Sequence, residues 1–181
     1  MPPFSPNRVL PVGDYPLTMA ELRRSHLVTG ADTDSESWDG VWRGQLVDNL
    51  AVLAAHLWAV GITDIFIDGS FVENKDHPGD IDGYFVTDLL TLATGRLEAN
   101  LNQFDPDAIW TWSAARRWIG PDSPKAQLPM WHKYRVELFP YVPGFPSGIR
   151  DRFGNDLEFP AAFRVSRQFA PKGIIALQQG T

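Results

Sequence analysis

The chain has 181 residues, 44% hydrophobic and 12% aromatic, with a formal net charge of −6. That is enough apolar material for one buried core and one domain. The acidic balance excludes a general non-specific DNA-binding surface, which needs clustered positive charge. Local basic groups remain at Arg116-Arg117, Lys133-Arg135 and Arg164-Arg167. With no cysteine there is neither a disulfide nor a thiolate metal site, a composition that fits a reducing cytoplasm. No apolar run approaches the roughly 20 residues that cross a bilayer, and residues 1–6 show no secretory signal.

In chain order, the Pro-rich residues 1–17 predict an extended arm. Thr18-Met19-Ala20-Glu21 has the pattern of a capping box, so a short helix is expected from there to about Leu27. Residues 28–36 read as a loop. A longer helix then starts near Ser37 and ends at Gly61. Its apolar positions Trp38, Val41, Trp42, Leu46, Leu50, Leu53, Leu57 and Trp58 make a core-facing stripe. Strands are expected at 62–68 and 81–86, followed by an Asp88-capped helix over 89–102 with Leu89, Leu92, Ala93 and Leu97 inward. Residues 108–112 fit either a strand or a helix start. Residues 120–124 are a loop, extended by Pro129. A third strand over 134–142 would turn Val136 and Leu138 to the core and Arg135 and Glu137 the other way. The main domain thus covers 18–146. Residues 147–181 read as a wrapping tail of the same domain, with room for one edge strand at Ile174–Leu177. The fold class is α/β (α+β), a small mixed sheet flanked by helices.

The chemistry is concentrated between Ile67 and Val86. An apolar run ends in Gly69-Ser70, a polar loop follows, and Asp80-Ile81-Asp82 opens the next apolar run. On a strand, alternation puts Asp80 and Asp82 on one face. Adjacent carboxylates repel unless a cation lies between them, and Mg²⁺ combines one or two carboxylates with substrate phosphates. Gly69 lets backbone approach a phosphate, and Ser70 offers a hydroxyl donor. Together these residues describe a metal–nucleotide site. Each also has an ordinary reading: a turn for Gly69-Ser70, a turn cap for the aspartates, a solvent-face ion pair with Lys133 or Arg135 for Glu137, and plain exposure for His77. Trp110, Trp112, Trp118 and Trp131 lie between the second and third strands, where one could stack on a purine.

The order Gly69-Ser70, Asp80-Ile81-Asp82, then Glu137 on a later strand resembles the nucleotidyltransferase superfamily that includes DNA polymerase β, in particular its minimal members. The resemblance spans about residues 62–142. It departs at Gly83, where the family usually has an apolar residue, in the glycine missing midway through the loop, and in the glutamate as third acid. The resemblance implies Asp80, Asp82 and Glu137 as catalytic and metal-binding residues for Mg²⁺ or Mn²⁺. ATP or another nucleoside triphosphate would be held by Gly69 and Ser70, with Lys75, Lys133 or Arg135 adding positive charge. The acceptor would be a hydroxyl on a small molecule, an RNA end or a protein. The same resemblance allows a binding partner with weak or no catalysis, such as an antitoxin or defence-pair component facing a cognate toxin-like protein.

Overall fold

The computed structural model describes residues 1–123 and 125–180. The strands of its main sheet are β1 (Asp14–Thr18), β2 (Ile65–Asp68), β3 (Ile81–Val86), β4 (Val136–Tyr141) and β7 (Ile174–Gln178). A small hairpin, β5 (Ile149–Arg150) and β6 (Asp156–Leu157), precedes β7. The main sheet has the order β1-β7-β2-β3-β4. Its outer pairs, β1 with β7 and β3 with β4, are parallel; β7–β2 and β2–β3 are antiparallel. The α/β architecture is therefore present, and the sheet gathers sequence from both ends of the chain. The tail strand is not at an edge: β7 lies between β1 and β2, and the end of the N-terminal arm supplies the edge strand instead.

The helices follow their capping chemistry. Thr18 Oγ1 accepts from the Glu21 amide at 3.3 Å and Glu21 Oε2 accepts from the Thr18 amide at 2.8 Å. This box starts α1 (Met19–Arg24), which stops at Ser25 in extended backbone and resumes as α2 (His26–Thr29), so the expected single helix is two. The long helix α3 (Gly40–Ala59) begins after Ser37, because the Asp39 carboxylate caps it by accepting from the Trp42 amide at 2.9 Å. Leu46, Leu50, Leu53 and Leu57 are fully buried as the stripe requires, whereas Val41 is 88% exposed. Arg43 occupies the stripe position one turn before Leu46 and is also fully buried.

The helix expected over 89–102 is broken. Asp88 caps α4 (Leu89–Ala93), Gly95 takes a φ of +72°, and α5 (Arg96–Leu101) continues with Leu97 and Leu101 buried while Leu89 is exposed. Residues 108–112 are irregular, although Trp110 is fully buried. Pro129 does not extend the loop but opens α6 (Pro129–Tyr134), where its missing amide hydrogen costs nothing. Arg135 then closes α6 in the left-handed conformation, φ +53°, so the third strand starts at Val136 rather than Tyr134. A last short helix, α7 (Phe159–Ala162), follows the hairpin.

One sheet face, bearing Ile65, Ile67, Ile81, Phe85, Val136, Leu138, Ile175 and Leu177, packs in the core with α3. The other carries an aromatic group of Phe66, Tyr84, Tyr141, Phe159 and Phe163. Among the described residues no helix is long and apolar enough to cross a membrane.

Candidate functional site

Asp68 ends β2 and pairs in register with Asp82 on β3, which in turn pairs with Glu137 on β4. Neighbouring strands lie roughly 5 Å apart, so three acidic residues form a row across one end of the sheet. Asp80 precedes Asp82 by one alternation. The row lies on the face opposite α3, because Ile67, Ile81 and Val136 take the core side.

The turn after Asp68 is shaped by this row. Gly69 has a φ of +74° and opens a single 3₁₀ turn, Gly69–Val72. A Cβ on Gly69 would collide with Asp82 Oδ2, so both the backbone and the neighbouring carboxylate require glycine here. Gly83 has a packing reason of its own: a Cβ there would strike the Phe66 carbonyl oxygen and approach Leu138 Cδ2 within 2.9 Å.

The row is anchored by specific partners. Asp80 Oδ2 accepts from the indole of Trp131 at 2.7 Å. Glu137 Oε1 accepts from the Leu128 amide at 3.2 Å and faces Arg117 Nη1 at 3.4 Å. Lys172, only 3% exposed, donates to Asp68 Oδ2 at 3.1 Å, Glu73 Oε1 at 3.0 Å and the Gly69 carbonyl at 3.2 Å. Among the described residues no protein donor reaches the Asp82 carboxylate. Burial, and then the charges of Asp80, Glu137 and Asp68, push its carboxyl well above the ordinary range, with Lys125 acting against the shift. Burial likewise raises Asp68 to about 7 against the pull of Lys172.

Among the described residues no three His, Cys, Asp or Glu side chains are gathered as a metal cage. The donor set nonetheless fits a hard divalent cation, on a different pair from the one expected. Asp68 Oδ1 is buried with no hydrogen-bond partner, beside the undonated Asp82 carboxylate. An orphaned buried oxygen next to a carboxylate of raised proton affinity is what a cation between them would relieve.

The basic residues expected at the phosphates are distributed differently. Lys75 is exposed, in the loop after the turn. Lys133 is turned away, gripped by Asp105 at 2.8 and 2.9 Å and Asp107 at 2.8 Å. Arg135 lies over the Trp131 ring at 4.0 Å and pairs with Asp122 at 3.1 Å; its left-handed backbone removes it from the strand alternation that would have placed it beside Glu137. His77 stacks on Trp42 at 5.1 Å and meets Asp39 Oδ2 through Nδ1 at 2.9 Å.

The cations that contact the row, Lys172 and Arg117, come from segments without a motif. Asp68 left one trace in the sequence, a charge closing an apolar run directly before Gly69. Arg43 left another, a cation on an otherwise apolar helical stripe. Its guanidinium donates to the carbonyls of Leu27 at 2.6 Å, Phe71 at 2.8 Å, Glu73 at 3.1 Å and Lys75 at 2.6 Å. With the Val9–Glu73 bridge, it fixes the loop that follows the turn.

The chain matches, over residues 2–178, a family described as a family of unknown function (DUF6932), and it belongs to that family. No curated protein and no solved structure matches it.

Proposed function

We propose that this DUF6932 member is a metal-dependent nucleotidyltransferase, moving a nucleoside monophosphate from a triphosphate such as ATP to a hydroxyl acceptor. The observation that carries the reading is the in-register row Asp68–Asp82–Glu137 directly beside the Gly69-Ser70 turn. Asp82 and its cross-strand neighbour Asp68 would hold Mg²⁺ or Mn²⁺, with Glu137 on the other side of Asp82. Held by these residues, such a cation would supply charge to offset the triphosphate and to lower the pKa of an attacking hydroxyl. Gly69 lets the turn lie close against the Asp82 carboxylate, and Ser70 would donate its hydroxyl to phosphate oxygens at the turn. The acceptor oxygen attacks the α-phosphorus, the bond to the bridging oxygen breaks, pyrophosphate departs, and the hydroxyl proton leaves to a carboxylate of the row.

Calorimetric titration with Mg²⁺–ATP tests this. Saturable binding is expected, lost in Asp82→Asn and weakened in Asp68→Asn. No binding at millimolar nucleotide would overturn it.

A second reading is a binding partner built on this fold, such as an antitoxin-like or defence-pair component. It draws on Asp80 and Glu137 being already satisfied by Trp131, Leu128 and Arg117. An intact, folded protein that gives no heat with Mg²⁺–ATP would favour it.

A further inference from the structure

A pocket of about 290 Å³ lies between α6 and the segment before it, lined among others by Asp107, Arg116, Trp118, His132 and Lys133. Its most open aromatic is Trp118, 46% exposed. The indole stacks on His132 at 3.9 Å with the planes 13° apart. The pair is held rigidly. Trp118 exchanges backbone hydrogen bonds with Gln127 at 3.1 and 2.9 Å, and its carbonyl meets His132 Nε2 at 3.1 Å. With His132 on one side of the indole, its exposed area makes a fixed aromatic platform, which any nucleobase can use because every base has a π-face.

The platform sits in the most basic stretch of an acidic chain. Residues 114–135 carry Arg116, Arg117, Lys125, Lys133 and Arg135 against a single acidic residue, Asp122, while the whole chain is at −6. Lys133 is neutralised by Asp105 and Asp107, and Arg135 by Asp122. Arg116 is exposed at the pocket, and no acidic partner reaches it among the described residues.

Consecutive residues join this pocket to the carboxylate row. Arg116 lines the pocket and Arg117 faces Glu137; His132 lines the pocket and Trp131 holds Asp80. The connection is at the β4 end of the row, away from the Gly69-Ser70 turn at the β2 end. If phosphates of the donor occupy the turn, the opposite end is where an acceptor hydroxyl arrives.

The geometry points to Trp118–His132 and Arg116 as the acceptor subsite, taking a nucleotide whose base stacks on Trp118 and whose phosphate meets Arg116. The acceptor role rests on the nucleotidyltransferase reading; the nucleotide binding does not. The same chemistry is offered by a free nucleoside monophosphate and by the end of a single strand.

The test uses the full chain in chelator without triphosphate. Anisotropy of a labelled short single-stranded RNA is followed, with adenosine and cytidine monophosphates as competitors. Saturable binding is expected, weakened about tenfold or more by Trp118→Ala and by Arg116→Glu, and kept in Trp118→Phe. Both altered residues are exposed, so equal thermal midpoints will show that the variants fold. Competition by the free monophosphates identifies the small acceptor; competition only by unlabelled RNA identifies a strand end. If neither RNA nor monophosphate binds, or if Trp118→Ala and Arg116→Glu bind like the parent, the subsite is wrong. RNA binding that behaves as expected in a protein deaf to Mg²⁺–ATP would sink the donor reading and leave the platform. Mg²⁺–ATP binding without any RNA or monophosphate binding would do the reverse.

Discussion

The two ends of the carboxylate row carry similar charges in different surroundings. At the β2 end, Lys172 and Asp68 are 3% and 2% exposed at the side chain, and the ion pair is sealed under the Gly69-Ser70 turn. At the β4 end, Glu137 is nearly as buried, but its partner Arg117 is 28% exposed and opens toward the basic segment. Removing charge from water makes each partner dependent on the other; leaving one side wet makes the pair adjustable. The first end is thereby a fixed scaffold for the turn, and the second a surface that a ligand can reorganise.

The sharpest way to break this contrast is Lys172→Met. It strips the cation from Asp68, Glu73 and the Gly69 carbonyl, and should cost about 3–5 kcal/mol at pH 8 by chemical denaturation. The loss should shrink toward pH 5, where Asp68 takes up a proton. A cost under about 1 kcal/mol would mean the β2 end is no more rigid than the surface.

Gly69→Ala comes next. The new Cβ meets a left-handed backbone and the Asp82 carboxylate together, so about 1–3 kcal/mol should be lost. Nucleotide binding should fall even in protein that remains folded. Unaltered stability would show that the turn yields, and that Asp82 is not held against it.

Asp82→Asn should have the opposite sign. The carboxyl is raised in the folded chain from an ordinary 3.8 to about 7. Below about pH 4 both folded and unfolded forms are protonated, and the group has no effect. Between there and pH 7 the unfolded chain ionises first, so stability falls as pH rises and the penalty is complete above 7. The asparagine variant should therefore match the parent at pH 4 and exceed it at pH 8, by on the order of 1–3 kcal/mol. A gain that is equal at both pH values would place its cause in packing rather than in charge.

The contrast also explains what the sequence disclosed. Features set by local chemistry were legible: the Thr18–Glu21 capping box, the Asp88 cap, the Leu46–Leu57 stripe and the strand at 81–86. The register that aligns Asp82 with Glu137 was legible only in part, since alternation gives a face and not a neighbour. What was hidden depends on distant chain. Nothing near Lys172 announces that β7 inserts between β1 and β2, or that its lysine will be buried against residue 68. Arg43 stands out as a cation on an apolar stripe, but its partners were hidden, because they are backbone carbonyls, which every sequence has. Lys133 and Arg135 were expected to add charge at the phosphates through the resemblance; Lys133 lies in α6, and a left-handed Arg135 closes that helix before the strand begins at Val136.

The smallest effect belongs to a pair that is identical in kind and wet on both sides. Arg150 Nε meets Asp156 Oδ1 at 2.9 Å across the β5–β6 hairpin, with side chains 67% and 53% exposed. The distance is as short as that of the buried lysine pair, so geometry alone would rank the two together. Solvent separates them: water replaces the lost partner on either side of the hairpin pair, and salt screens what attraction remains. Arg150→Ala should shift stability by no more than about 0.5 kcal/mol, measured beside Lys172→Met in the same denaturant series. A loss approaching that of the lysine variant would mean that the hairpin is packed against something in solution, and that exposure no longer decides which ion pairs hold this chain together.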